Sequence, residues 1–424
     1  MTDLITRAQA ILLARTLHVH PQRLEHLHYL GAERLHALHE QISRVLFDQH
    51  ADTFRRINAV VPFVPSSIAI PLLQKLVPPM MAGRAAGSLG LEHPGKAAQT
   101  VAMLDAAYAA DCAPYLDPRA VVELAGKMAP GPIIAIVNEL LRRCDYVTAG
   151  PFLSCTTPEL IAAIEGQVRD DTGLIFSGAY SYDSEALSAV IRQLLDGPYR
   201  RIPGITRTVL SGPAELQHAA LSVFSRCAPD VIGRVGEYLF GEAEPAAVAR
   251  LVHHAIELGA VPEFLTMAGN LTPVGLAGLV DNPVFADPDV AVDLVAPMDG
   301  RADAGSWRGL FAVMSRVPEE VRRAVGYALA LTSDPTVAAL PARATETGGW
   351  TTLLDLVAVS GERGQARFGV VWAELAPERR AYLHRSITEL GYDLELAEIT
   401  AVVAPVEVDL LFFQRRQQGR YRNG

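Results

Sequence analysis

Cysteine is scarce in this sequence, and it lacks paired cysteines, long uncharged apolar runs, a basic surplus and the glycine signatures of nucleotide-binding loops. Each absence removes a class of protein. The four cysteines, Cys112, Cys144, Cys155 and Cys227, form no C-x-x-C pair, so the common zinc and redox spacings are missing. A chain of 424 residues is long enough to bury a core without disulfide staples. The thiols therefore read as reduced, in a cytoplasmic protein. No run of about 18 uncharged apolar residues is available for a spanning helix. The nearest stretch, 58 to 83, carries Lys75 and five prolines. The N-terminus has Asp3 and Arg15 around a short apolar segment and no small-residue cleavage site, so no secretory leader is expected.

The formal net charge of −10 leaves no dominant basic stripe of the kind that neutralises phosphates, and nucleic acid is not expected as a partner. Gly90 to Ala97 comes near a phosphate-binding loop. However, Ala97 stands where Ser or Thr must hold magnesium, and no strand precedes it. Neither the G-x-S-x-G elbow nor H-E-x-x-H occurs.

What the sequence has is helix. Apolar residues make up 50% of the chain and charged residues 20%, which excludes wholesale disorder. One face of a helix recurs at i, i+3, i+4, i+7 and i+8. Ile133, Ile136, Val137, Leu140 and Leu141 meet that template, as do Leu187, Val190, Ile191, Leu194 and Leu195. Leu216 to Phe224, Val248 to Ile256 and Val321 to Leu329 repeat it.

Start signals accompany these faces. Asp117-Pro118, Thr157-Pro158, Thr272-Pro273 and Asp334-Pro335 each place a capping side chain before a proline that has no N–H to waste. Pro318-Glu319-Glu320 and Pro377-Glu378 put acid in a first turn, where the helix dipole favours it. Helices this short are marginal alone, so each must shelter its apolar face on a neighbour. The expected fold is all-α: irregular stacked helical hairpins, a solenoid-like α-superhelix. One short strand is expected near the C-terminus, in the stretch 399–413. Four regions are expected: a helical 1–57, an apolar Pro/Gly-rich connector over 58–95, a helical-repeat domain over 96–300, and a helical 301–424 with a basic tail.

The run from Leu116 to Val168, with "LDP" opening a helix, a turn containing "AP", a second helix and "TPE" opening the next, resembles the repeats of the N-terminal domain of MgtE-type magnesium transporters. The resemblance covers about 100 to 300 and implies architecture only: a module that senses or docks. That family's nucleotide-binding modules and membrane helices are not visible here, and no magnesium-binding residue carries over.

Seven of the twelve histidines lie in the first fifty residues. Only His36 and His39, with Glu40, fall at a spacing that could share a metal. The more economical reading makes these histidines polar positions on an amphipathic helix, and neither metal nor cofactor is expected. Two apolar surfaces stand out as interaction candidates. One is the stretch holding Ile68, Ile70, Leu72, Leu73, Met80 and Met81. The other is the tail, where Phe412 and Phe413 precede Arg415 and Arg416. The first functional expectation is a non-catalytic scaffold or regulatory adaptor with a protein partner. The second is a binder of an apolar ligand or a membrane surface. The third is an all-helical enzyme without a local motif, with His253, His254 and Glu257 as candidates for proton transfer.

Overall fold

The computed structural model describes residues 4–60, 66–301 and 303–404, with the backbone alone at 50, 51, 54–60 and 66–68. Among the described residues there are 26 α-helices and no strand. The chain divides into two compact units, Met1–Leu279 and Val280–Gly424. The boundary expected at 300 falls inside the second.

In the first unit, α1 (Leu4–Thr16) pairs with the 30-residue α2 (Gly31–Val60). The helices α3 (Ser66–Leu76), α4 (Pro79–Glu92) and α5 (Pro94–Ala102) follow. The expected connector over 58–95 is thus mostly helical. Pro79 and Pro94 open α4 and α5 at the first helical position, where the missing N–H costs nothing.

Next come α6 (Ala106–Cys112), α7 (Pro118–Ala125), α8 (Pro130–Arg142), α9 (Tyr146–Ala149), α10 (Pro158–Gln167), α11 (Asp171–Tyr180) and α12 (Ser184–Asp196). The unit closes with α13 (Ile202–Ser211), α14 (Ala214–Phe224), α15 (Pro229–Gly236), α16 (Pro245–Glu257), α17 (Val261–Ala268) and α18 (Pro273–Val280). Helices pack on their second neighbour in the chain. One row runs α4, α6, α8, α10, α12; the other includes α9, α11 and α13. This is hairpin stacking, and it buries the faces read from the sequence. Leu187, Val190, Ile191, Leu194 and Leu195 are buried together on α12, and Leu216, Ala219, Ala220, Val223 and Phe224 on α14.

The capping signals work as bonds. The Asp117 carboxylate accepts from the Arg119 amide at 2.9 Å, and the Thr157 hydroxyl from the Leu160 amide at 3.3 Å. Thr272 accepts from the Gly275 amide at 3.2 Å. Asp334 is different: the helix begins on it, Ser333 takes the cap position, and Asp334 sits in the first turn.

The second unit contains α19 (Pro288–Asp293), α20 (Ala304–Met314), α21 (Glu319–Ala330), α22 (Asp334–Thr347), α23 (Trp350–Val359), α24 (Gly361–Ala373), α25 (Pro377–Glu389) and α26 (Ala397–Val403). Its core holds Trp307, Phe368 and Trp372, and the buried Trp372 indole N–H donates to the Val337 carbonyl at 2.9 Å. α21 and α23 cross at Gly326, where a Cβ would stand 2.1 Å from the Leu356 carbonyl oxygen. The stretch expected as a strand opens inside α26, and its remainder lies outside the described residues. Among the described residues no helix is long and apolar enough to cross a membrane.

Candidate functional site

Small residues on α4 create the space that follows. Gly83 lies against the Cys112 carbonyl, where a Cβ would come within 2.5 Å, and Gly87 against the Asp117 amide, at 2.9 Å. The segment from α6 to α7 can therefore press close to one side of α4. On another side, Ala82, Ala85 and Ala86 line a cavity of about 340 Å³ that opens among α4, α5, α7 and α8. Ile133, Ile136, Val137, Leu140 and Leu141, the α8 face read from the sequence, line it. Leu140 and Leu141 are buried, while Ile133, Ile136 and Val137 are half-buried and pack against the same buried cluster.

The lining is almost wholly apolar, and its few hydroxyls are already committed. Thr100 donates to the Lys96 carbonyl at 3.0 Å, Thr156 to the Leu153 carbonyl at 2.9 Å, and Ser177 to the Gly173 carbonyl at 2.8 Å. A water molecule needs two to four polar partners to be held, and these walls offer no free hydroxyl donor. The thiols of Cys112 and Cys155 also face the cavity, and burial pushes them up to about 12 and about 11. Cys155 is therefore a poor nucleophile near neutral pH.

A second, smaller cavity of about 130 Å³ lies beside the first. Ala113, Leu116, Val121, Phe152 and Cys155 border both. Its remaining wall is mostly apolar, with Leu12, Leu46, Phe47 and Tyr115 among its residues, but it also carries the basic side chains Arg15, His18, His39 and Arg84 and the hydroxyls of Thr16, Ser43 and Thr148, and no carboxylate lines it. Arg15 is matched by Asp145 at 2.9 Å and donates to Thr148 at 2.6 Å. His39 meets the Thr16 hydroxyl at 3.1 Å, and burial, with His36 nearby, lowers its pKa to about 4, so it is neutral at pH 7. Arg84 donates to the His18 ring nitrogen at 2.9 Å.

No known family model matches the chain, and no curated protein matches it. Function must therefore be read from these two spaces and from the fate of the residues singled out above.

His36 and His39 turn to separate partners: His36 contacts Gln9 at 3.1 Å and Glu40 at 3.6 Å and stacks on Tyr182. Among the described residues no group of three potential metal ligands converges. His254 contacts the buried Gln217 at 2.8 Å, while His253 and Glu257 are exposed.

The apolar stretch divides. Ile70 is buried; Leu73 and Met81 line the larger cavity; Leu72, Met80 and Met81 are exposed around it. Leu76, also on α3, is exposed. The side chain of Ile68, and all of Phe412, Phe413, Arg415 and Arg416, lie outside the described residues. Sequence reasoning missed the cavity and Arg84. The one available signal was the run of small residues from Ala82 to Gly90, which a close-packed helix does not need on every face.

Proposed function

We propose that the chain is a binding protein for an apolar small molecule, held in the cavity among α4, α5, α7 and α8. The observation that carries this is the lining: an internal space of about 340 Å³ with its hydroxyls already spent on backbone carbonyls. Ligand pockets run from roughly 300 to 1,000 Å³, and an apolar cavity of roughly 150 Å³ already takes benzene.

The half-exposed rim of Leu73, Val77 and Met81, with Leu72 and Leu76 outside it, offers apolar entry. The likeness of 116–168 to transporter sensory repeats also fits a module that works by binding. A catalytic reading has less to stand on. The two thiols facing the site are held protonated, and among the described contacts none joins Cys155 to His39.

The test is titration of the full chain with a neutral fluorescent apolar probe, N-phenyl-1-naphthylamine, alongside native mass spectrometry of the purified protein. Saturable one-to-one enhancement, abolished when Ala86 is replaced by Phe, is the expected result. Absence of both probe binding and any copurified apolar molecule defeats the proposal.

A further inference from the structure

We infer that the smaller cavity is a headgroup subsite, and that the ligand is a single-chain amphiphile with an anionic head, a carboxylate or a phosphate monoester. The inference rests on the apolar-ligand reading above and adds the chemistry of the ligand's polar end.

The two cavities border one another across five shared residues, and helix α4 faces both. Met81, Ala82, Ala85 and Ala86 turn to the larger space, while Arg84, on the same two turns, reaches into the smaller one, where the basic side chains lie. The charges in the smaller cavity do not cancel. Arg15 is countered by Asp145, and His39 is held neutral. Of the other carboxylates nearby, Asp117 and Asp48 both pair with Arg119, at 2.7 and 3.1 Å, and Asp183, close enough to act on His36 and Cys155, caps α12 by accepting from the Ala186 amide at 2.9 Å. What remains is Arg84, half-buried, whose described hydrogen bond is to a histidine nitrogen and not to an acid.

A guanidinium presents five donors in a flat fork that matches carboxylate and phosphate oxygens, and His18 occupies only one of them. A partly desolvated cation without a carboxylate counter-charge, set against a cavity with no free hydroxyl donor, is complementary to a molecule with an anionic head on an apolar chain. It is not complementary to a neutral lipid or to a cation.

The experiment displaces the bound neutral probe with dodecanol, dodecanoate or dodecyl phosphate, in the full-length wild type and in Arg84→Gln. The three ligands share one chain, so the head alone varies. Wild type is expected to prefer at least one anion over dodecanol by about tenfold or more, the scale of a charge-assisted hydrogen bond. Which anion ranks first identifies the head. Arg84→Gln removes the preference while dodecanol and the probe still bind, which also shows that the variant is folded. Arg84→Lys keeps part of it, as a point charge without the fork. Equal affinity of wild type for all three, or a preference that survives in Arg84→Gln, overturns the inference and leaves the apolar site standing. Failure of the probe and dodecanol to bind wild type removes the apolar site, and this inference with it.

Discussion

Replacing Ala86 with Phe separates a cavity from a packed core by the sign of its effect. In a filled core, a larger side chain strains its neighbours and costs typically 1–3 kcal/mol. Ala86 faces the space of about 340 Å³, so a phenyl ring placed there has room. It also moves apolar surface out of water, which contributes about 2 kcal/mol. For a unit of this size one kcal/mol shifts the melting temperature by about 2 °C, so the ligand-free variant should melt about 4 °C above wild type. The same ring takes the space the ligand needs. Wild type at a hundredfold excess over Kd gains about 2.7 kcal/mol from mass action, again a rise of several degrees, whereas the variant should gain none. The assay is scanning calorimetry of ligand-stripped protein with and without N-phenyl-1-naphthylamine. Higher stability with lost response is the expected pair. A melting temperature lowered by several degrees would mean that the wall is close-packed and that the cavity argument is wrong.

Three further outcomes test other residues. Gly326→Ala drives a Cβ to within 2.1 Å of the Leu356 carbonyl and should destabilise the second unit by about 2 kcal/mol in denaturant titration. Gly131→Ala, whose Cβ meets nothing within 4 Å, should not; equal effects refute the reading of that crossing. His39, its pKa lowered from 6.5 to about 4, is neutral in both states above pH 6.5. As pH falls from 6.5 to 4 the unfolded chain gains a proton that the fold refuses, so stability is lost across that window, by about 3 kcal/mol at 1.36 kcal/mol per pH unit. His39→Asn should flatten that part of the pH–stability curve, and an unchanged slope rejects the assignment. With N-ethylmaleimide near neutral pH, exposed Cys144 should label first and Cys155, its thiol raised to about 11, slowly. Bound probe should slow Cys155 further, because that residue faces both cavities; mass-spectrometric peptide mapping reads the order.

Periodicity made the helices legible because a 3.6-residue repeat reports which face leaves water. For α12 and α14 that face is also the packed one, so sequence and burial agree residue by residue. The same template on α8 marks Ile133, Ile136 and Val137, which pack on buried neighbours yet also line the cavity and stay half-buried. An apolar pattern states that a side chain avoids water; it does not state that a neighbour reaches it. The cavity draws its walls from Leu73 to Ser177, and a space is a sum of short side chains that no local motif encodes. Arg84 left no trace for a similar reason, since its meaning comes from His18, 66 residues away. The density of proline and glycine over 58–95 reads as a connector, although Pro79 and Pro94 stand where a helix starts. Asp334 missed its cap by one position, because Ser333 and Asp334 are both acceptable there and Ser333 is drawn into bonds with Asp299.

Thr100, Thr156 and Ser177 each fold their hydroxyl back onto the helix or turn that carries it. Walls finished in this way have no hydroxyl hydrogen left to offer a ketone along a guest's length, and nothing polar about them tells a double bond from a single one. They gauge girth and reach alone. Any discrimination the protein exercises must therefore be made where the guest ends, and homologous chains differing only in saturation should be accepted almost alike.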